Sequence, residues 1–68
     1  MIVYRKRNFI IIENEDNHDK IVLNENLIHG VLTHEGDVHV ALTPKIDTPE
    51  IKFEKQTAVD FMNVFLGD

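Results

Sequence analysis

Apolar and polar residues alternate along Leu27–Thr43, LIHGVLTHEGDVHVALT, the two-residue period of a half-buried antiparallel strand pair. The turn residues His34, Glu35 and Gly36 suit a three-residue connection in which Gly36 takes the left-handed conformation of a G1 bulge. That turn predicts Thr33 opposite Asp37, Leu32 opposite Val38, Val31 opposite His39, Gly30 opposite Val40 and Ile28 opposite Leu42. One face then holds Ile28, Leu32, Val38, Val40 and Leu42; the other holds His29, Val31, Thr33, Asp37, His39 and Ala41. A two-residue turn would set Leu32 against His39 and Thr33 against Val38, so the apolar pattern selects the first register.

Upstream, residues 2–13 read as an extended segment: Ile2 and Tyr4 alternate with Val3 and Arg5, and Phe9–Ile12 is a continuous run of strand formers. The basic triplet Arg5-Lys6-Arg7 interrupts it, with three readings open (a place in mid-strand, a bend in one long strand, or the turn of a short hairpin), and Asn8 beside it favours the bend. Residues 14–19, NEDNHD, are turn formers whose side chains bond to nearby backbone. Lys20–Leu23 is a second strand antiparallel to the first, and Asn24, Glu25 and Asn26 break it. Pro44 and Pro49 place a loop over 43–49. Glu50–Glu54 alternates as a short edge strand with Ile51 and Phe53 on one side.

The period then changes to 3.6. Ala58, Val59, Phe61, Met62, Phe65 and Leu66 share one arc of a helical wheel, opposite Asp60 and Asn63. Thr57 with Asp60 resembles a capping box, and Gly67 is a natural stop. A helix of about 10 residues persists only if it packs on the sheet. The expected architecture is α+β: an antiparallel meander of four to five strands with one C-terminal helix, a single domain over 1–68.

Size shapes the functional expectations. A chain of 68 residues buries only about 60% of its unfolded surface, so its core is marginal and self-association is a common remedy. The chain has no cysteine, which removes disulfides, thiolate metal sites and cysteine nucleophiles. No apolar run approaches the roughly 20 residues of a membrane span, and MIVYRKRN puts apolar residues ahead of basic ones, unlike a secretory signal. A cytoplasmic location is expected, with no membrane partner. Seven of the nine residues Ala58–Leu66 are apolar, more than one sheet needs. A homodimer using Val59, Phe61 and Val64 is therefore expected.

The net charge of −5 is uneven: residues 1–8 carry three positive charges, and the remaining sixty carry four positive and twelve negative. An acidic balance disfavours general nucleic-acid binding. Frequent Ile, Asn, Lys and Glu point to an AT-rich genome, such as that of a low-GC bacterium or its phage.

Candidate chemistry is sparse. Two of the four histidines, His29 and His39, fall on one hairpin face near Asp37, short of the usual zinc set. Asn14–Glu25 can be laid on a calcium-loop template, but Asp19 stands where the sharp turn needs glycine and Asn14 where a carboxylate belongs. Serine is absent too, and the three glycines stand apart at 30, 36 and 67, so neither an activated nucleophile nor a phosphate loop is visible. No enzyme activity, metal or cofactor is expected.

The order of elements resembles the layout of PC4-like single-stranded DNA binders, in which a curved sheet and final helix form a dimer. The resemblance is one of layout alone; the basic triplet with Tyr4 and Phe9 beside it supplies phosphate contacts and stacking, so one expectation is a dimeric single-stranded nucleic-acid binder using Tyr4, Arg5, Arg7 and Lys52. The acidic balance favours a different expectation: a non-enzymatic protein-binding module, a modulator or inhibitor of a larger protein encoded by a phage or mobile element. Its acidic loops would place Asp16, Asp19, Glu35 and Asp37 against a basic partner.

Overall fold

The computed structural model describes residues 1–43 and 50–67. The proline loop expected over 43–49 lies outside the described residues from 44 onward. Among these residues six strands and one α-helix follow one another: β1 (Ile2–Lys6), β2 (Phe9–Glu13), β3 (Lys20–Asn24), β4 (Ile28–His34), β5 (Asp37–Leu42), β6 (Glu50–Phe53) and α1 (Lys55–Leu66). The class is α+β, as the periodicities predict. The strands, however, form two three-stranded antiparallel sheets, β1-β2-β3 and β4-β5-β6, rather than one meander of four or five.

The extra strand comes from the basic triplet. Instead of bending one long strand, it closes a hairpin: Lys6 pairs with Phe9 across the two-residue turn Arg7-Asn8. Arg7 takes a φ of 58°, and positive φ at the first central residue is what a type II′ hairpin turn requires. The 14–19 loop behaves as its composition predicts. The Asn14 side chain accepts from the Asp16 amide, and the Asn17 side chain from the Asp19 amide, while the Asn14 amide donates to the Asp19 carbonyl across the neck. Residues Glu25–Leu27 form a 3₁₀ turn that leads from the first sheet to the second.

The β4–β5 register departs from expectation. Thr33 pairs with Val38 and His34 with Asp37, so the turn has two residues, not three. Glu35 and Gly36 both have positive φ, 51° and 84°, the type I′ pattern whose twist matches a hairpin. A bulge between Ile28 and Gly30 absorbs the change and keeps the expected Ile28–Leu42 pair. Beyond that bulge the alternation shifts by one. Val31 joins Ile28 against the core, and Leu32 turns outward beside His39 at 64% exposure. Alternation put Leu32 inside because it set the bulge at Gly36 rather than between Ile28 and Gly30. We expect Leu32→Ser to change stability by no more than about 0.5 kcal/mol and Val31→Ser to cost about 1–2 kcal/mol. Urea midpoints of the two variants check this; the reverse order would restore the three-residue turn.

The core lies where the sheets and helix meet. Ile10, Ile12 and Leu23 from the first sheet join Val38, Val40 and Phe53 from the second, and Ala58 and Phe61 close the cluster. The Phe61 ring stacks between Phe53, at 5.1 Å, and Phe65, at 5.7 Å. The helix begins earlier than a Thr57–Asp60 box would allow. Glu54 is its N-cap, without a side-chain cap bond, and Asp60 instead accepts from Gln56 at 2.9 Å. Lys55 has a φ of 53°, a left-handed residue that redirects the chain from β6 straight into the helix at a cost of roughly 1 kcal/mol. At the other end Gly67 is extended, with φ −78°. Its glycine is required by space rather than handedness, since a Cβ there would collide with the Asn63 carbonyl.

Candidate interaction surface

Strand alternation gives the first sheet two different faces. Val3, Ile10, Ile12 and Leu23 face the core. The residues between them look outward in three cross-strand rows: Lys6, Phe9 and Asn24; Tyr4, Ile11 and Val22; Ile2, Glu13 and Lys20. The middle of this face is apolar. Val22 is 55% exposed, Ile2 42% and Phe9 38%, and they surround Ile11. Lys6, Arg7, Phe9, Ile11 and Val22 line a shallow depression of about 400 Å³.

Charge is graded along the strands. The β1–β2 turn at one end presents Lys6 and Arg7, neither of which has a carboxylate partner among the described residues. The opposite end carries Glu13 and the β2–β3 loop with Glu15, Asp16 and Asp19, set against Lys20. Glu13 is held in place there: the Tyr4 hydroxyl donates to it at 3.4 Å, and His18 Nδ1 lies 3.4 Å from its other oxygen. Glu15 pairs with the Met1 amine at 3.2 Å.

Residues proposed from sequence for nucleic-acid contact are not gathered on this face. Tyr4 and Arg7 belong to it, but Arg5 has the opposite parity and points to the helix. Its guanidinium pairs with Glu25 and donates to the Val64 carbonyl at 2.8 Å, with the Phe65 carbonyl at 3.5 Å. Arg5 therefore ties β1 to the 3₁₀ turn and to the carbonyls of the last helical turn, where a cation is favoured. Lys52 sits on β6 in the other sheet, between Glu54 at 3.4 Å and Asp37 at 3.5 Å. Its ammonium is held above the ordinary lysine value of 10.5 by the hydrogen bond and charge of Glu54, then by the charge of Asp37. A raised value means that this contribution is complete below the ordinary lysine pKa and fades only as pH rises through the raised one.

The acidic candidates divide as well. Asp16 and Asp19 project from the β2–β3 loop, whereas Glu35 lies in the β4–β5 turn and Asp37 follows it at the start of β5. Asp37 is engaged by Lys52, and Glu35 lies 3.7 Å from His34. His39 lies 2.8 Å from Glu50 and His29 occupies the β4 bulge, so the two histidines are not diagonal neighbours on one register. Among the expected dimer residues, Val59 is 51% exposed, Val64 packs partly on the core and Phe61 is fully buried. Phe61 thus has no surface to offer a second subunit, because the helix arc that it centres is the arc seated on the core.

Taken singly, Ile11 and Val22 carry no local feature that marks them out, while Phe9 and Lys6 stand out only as a neighbour and a member of the basic triplet. One signal did point to them. Four apolar residues in succession, Phe9–Ile12, on a strand in an antiparallel pair place apolar side chains on both faces. No helix among the described residues is long and apolar enough to cross a membrane. No family model, curated protein or solved structure matches this chain.

Proposed function

We propose that the chain is a non-enzymatic protein-binding module that docks through the outer face of its first sheet. The observation that supports this reading is the row Tyr4–Ile11–Val22 with Phe9 and Ile2 around it, an apolar centre bounded by charge of opposite sign at its two ends. An apolar centre with a charged rim is the anatomy of a protein interface. The acidic loop carrying Asp16 and Asp19 contributes the rim that steers a basic partner region, while Lys6 and Arg7 select acidic groups at the other end. Modulation of a larger protein is the role this reading carries for the cell.

Nucleic-acid binding is the second reading, favoured by one observation: Tyr4 and Phe9 lie on the same open face as Lys6 and Arg7, the aromatic-plus-cation pairing of single-strand binders. The engagement of Arg5 and Lys52 elsewhere weighs against it. A photo-crosslinking residue placed at position 22, with one at position 59 as control, separates the two in a lysate of the source cells. The expected result is a protein adduct from position 22 that is absent from position 59. Oligonucleotide adducts from position 22 that vanish as salt is raised would replace this reading with the second one.

A further inference from the structure

We infer that the occupant of this face is a second copy of the chain, a conclusion that rests on the protein-binding reading. Closed two-fold dimers use one patch twice, so the patch must be complementary to itself. The outer face of the first sheet meets that demand about one particular axis. Let the axis lie in the plane of the interface and run across the strands, through the row Tyr4–Ile11–Val22. It then lays this apolar row on its own counterpart. The same rotation carries the Lys6–Arg7 end of each copy onto the Glu13–Glu15 end of the other, twice per dimer. An axis along the middle strand would instead lay the basic end of one copy on the basic end of the other and set Glu13 against itself, which like-charge repulsion opposes.

Other features agree. Lys6 and Arg7, like Lys20 and Lys55, lack carboxylate partners among the described residues, whereas Arg5 and Lys52 are both satisfied. Lys20 and the Met1 amine are two cations at an end that carries four carboxylates, Glu13, Glu15, Asp16 and Asp19, so the sign of that end holds. The competing apolar stripe on α1, with Val59 and Leu66 exposed, is bordered by Lys55, Gln56, Asp60 and Asn63, and its one cation and one carboxylate both lie in the N-terminal half rather than at opposite ends of the stripe.

Sedimentation equilibrium on the full chain tests the assignment, with far-UV circular dichroism confirming that each variant is folded. All substitutions are at exposed positions. The wild-type chain is expected to dimerise, and Val22→Asp to leave it monomeric, while Val59→Asp has no effect. Arg7→Glu and Glu15→Arg are each expected to weaken the dimer by roughly tenfold, since each disturbs two symmetry-related contacts. The double variant Arg7→Glu/Glu15→Arg restores it, because the swapped charges meet again. A dimer that survives Val22→Asp and is lost on Val59→Asp overturns the assignment in favour of the helix. Failure of the double variant to recover overturns the proposed axis. A wild-type chain that is monomeric at every concentration overturns self-docking alone; the adduct from position 22 then decides the protein-binding reading separately.

Discussion

Phe61→Ala is expected to cost about 3–5 kcal/mol, the usual penalty for removing a fully buried phenylalanine from a packed core. Its ring is completely enclosed and is sandwiched by Phe53 and Phe65 at 5.1 and 5.7 Å. It also touches the junction at which both sheets depend on α1, so no neighbour can close the gap without unseating one of them. At about 0.1 kcal/mol per residue, a chain of 68 residues has a total stability of about 7 kcal/mol. The variant would therefore keep less than half to about half of it. Urea unfolding followed by circular dichroism measures the loss, with Ile10→Val as a mild core control costing about 1 kcal/mol. A Phe61→Ala midpoint close to wild type would mean that the helix is not seated on the sheets as described.

Arg5→Met is expected to cost about 2–3 kcal/mol. Methionine keeps most of the aliphatic packing, so the loss isolates the guanidinium. Without it the half-buried Glu25 carboxylate loses its partner and the Val64 and Phe65 carbonyls lose their donor. Hydrogen bonds to charged groups contribute about 1.5–3 kcal/mol, and a cation at a helix C-terminus adds to this. Arg5→Lys should recover only part of the difference, since a single ammonium cannot reach a carboxylate and a carbonyl with the geometry of a planar fork. Amide hydrogen exchange over residues 63–66 reports the local effect, and a double-mutant cycle with Glu25→Gln isolates the pair. Equal stability and unchanged exchange in Arg5→Met would show the contact to be incidental.

These two residues also mark the boundary of what the sequence discloses. Phe61 is readable as a core residue because helical periodicity places it at the centre of the apolar arc. Its burial was legible, and the same burial undoes its assignment to a dimer interface. Arg5 was not legible: its partners lie 20 and 59 residues away, and no local pattern announces a contact of that separation. Read in place, it looks like one of three cations open to phosphate. The strand Lys20–Leu23 and the loop closed by Asn14 and Asn17 were legible, since short-range chemistry determines both.

The second hairpin shows how a rule that is correct locally can mislead. Alternation assigned the faces of β4 properly up to Ile28 and then failed at His29, because a bulge inverts everything beyond it. The basic triplet failed for a related reason. Asn8 favoured the bend over the short hairpin, whereas the hairpin needed one residue with positive φ, and Arg7 supplied it. The division into two sheets follows from that turn together with the 3₁₀ turn at Glu25–Leu27, and neither is marked by glycine or proline. The interaction surface lay between these cases. Its apolar residues are visible in the run Phe9–Ile12, but their grouping with Tyr4, Val22 and Lys6 depends on pairing among three strands.

The central claim is that the outer face of β1-β2-β3 is the docking surface and that it docks on itself. The most direct test is an isotope-filtered nuclear Overhauser experiment on a mixture of labelled and unlabelled protein, which reports only contacts between copies. The proposed axis predicts intermolecular signals among the Ile11 and Val22 methyl groups and from Ile11 to the Tyr4 ring. Signals confined to Val59, Met62 and Leu66, or none between copies at all, would contradict it.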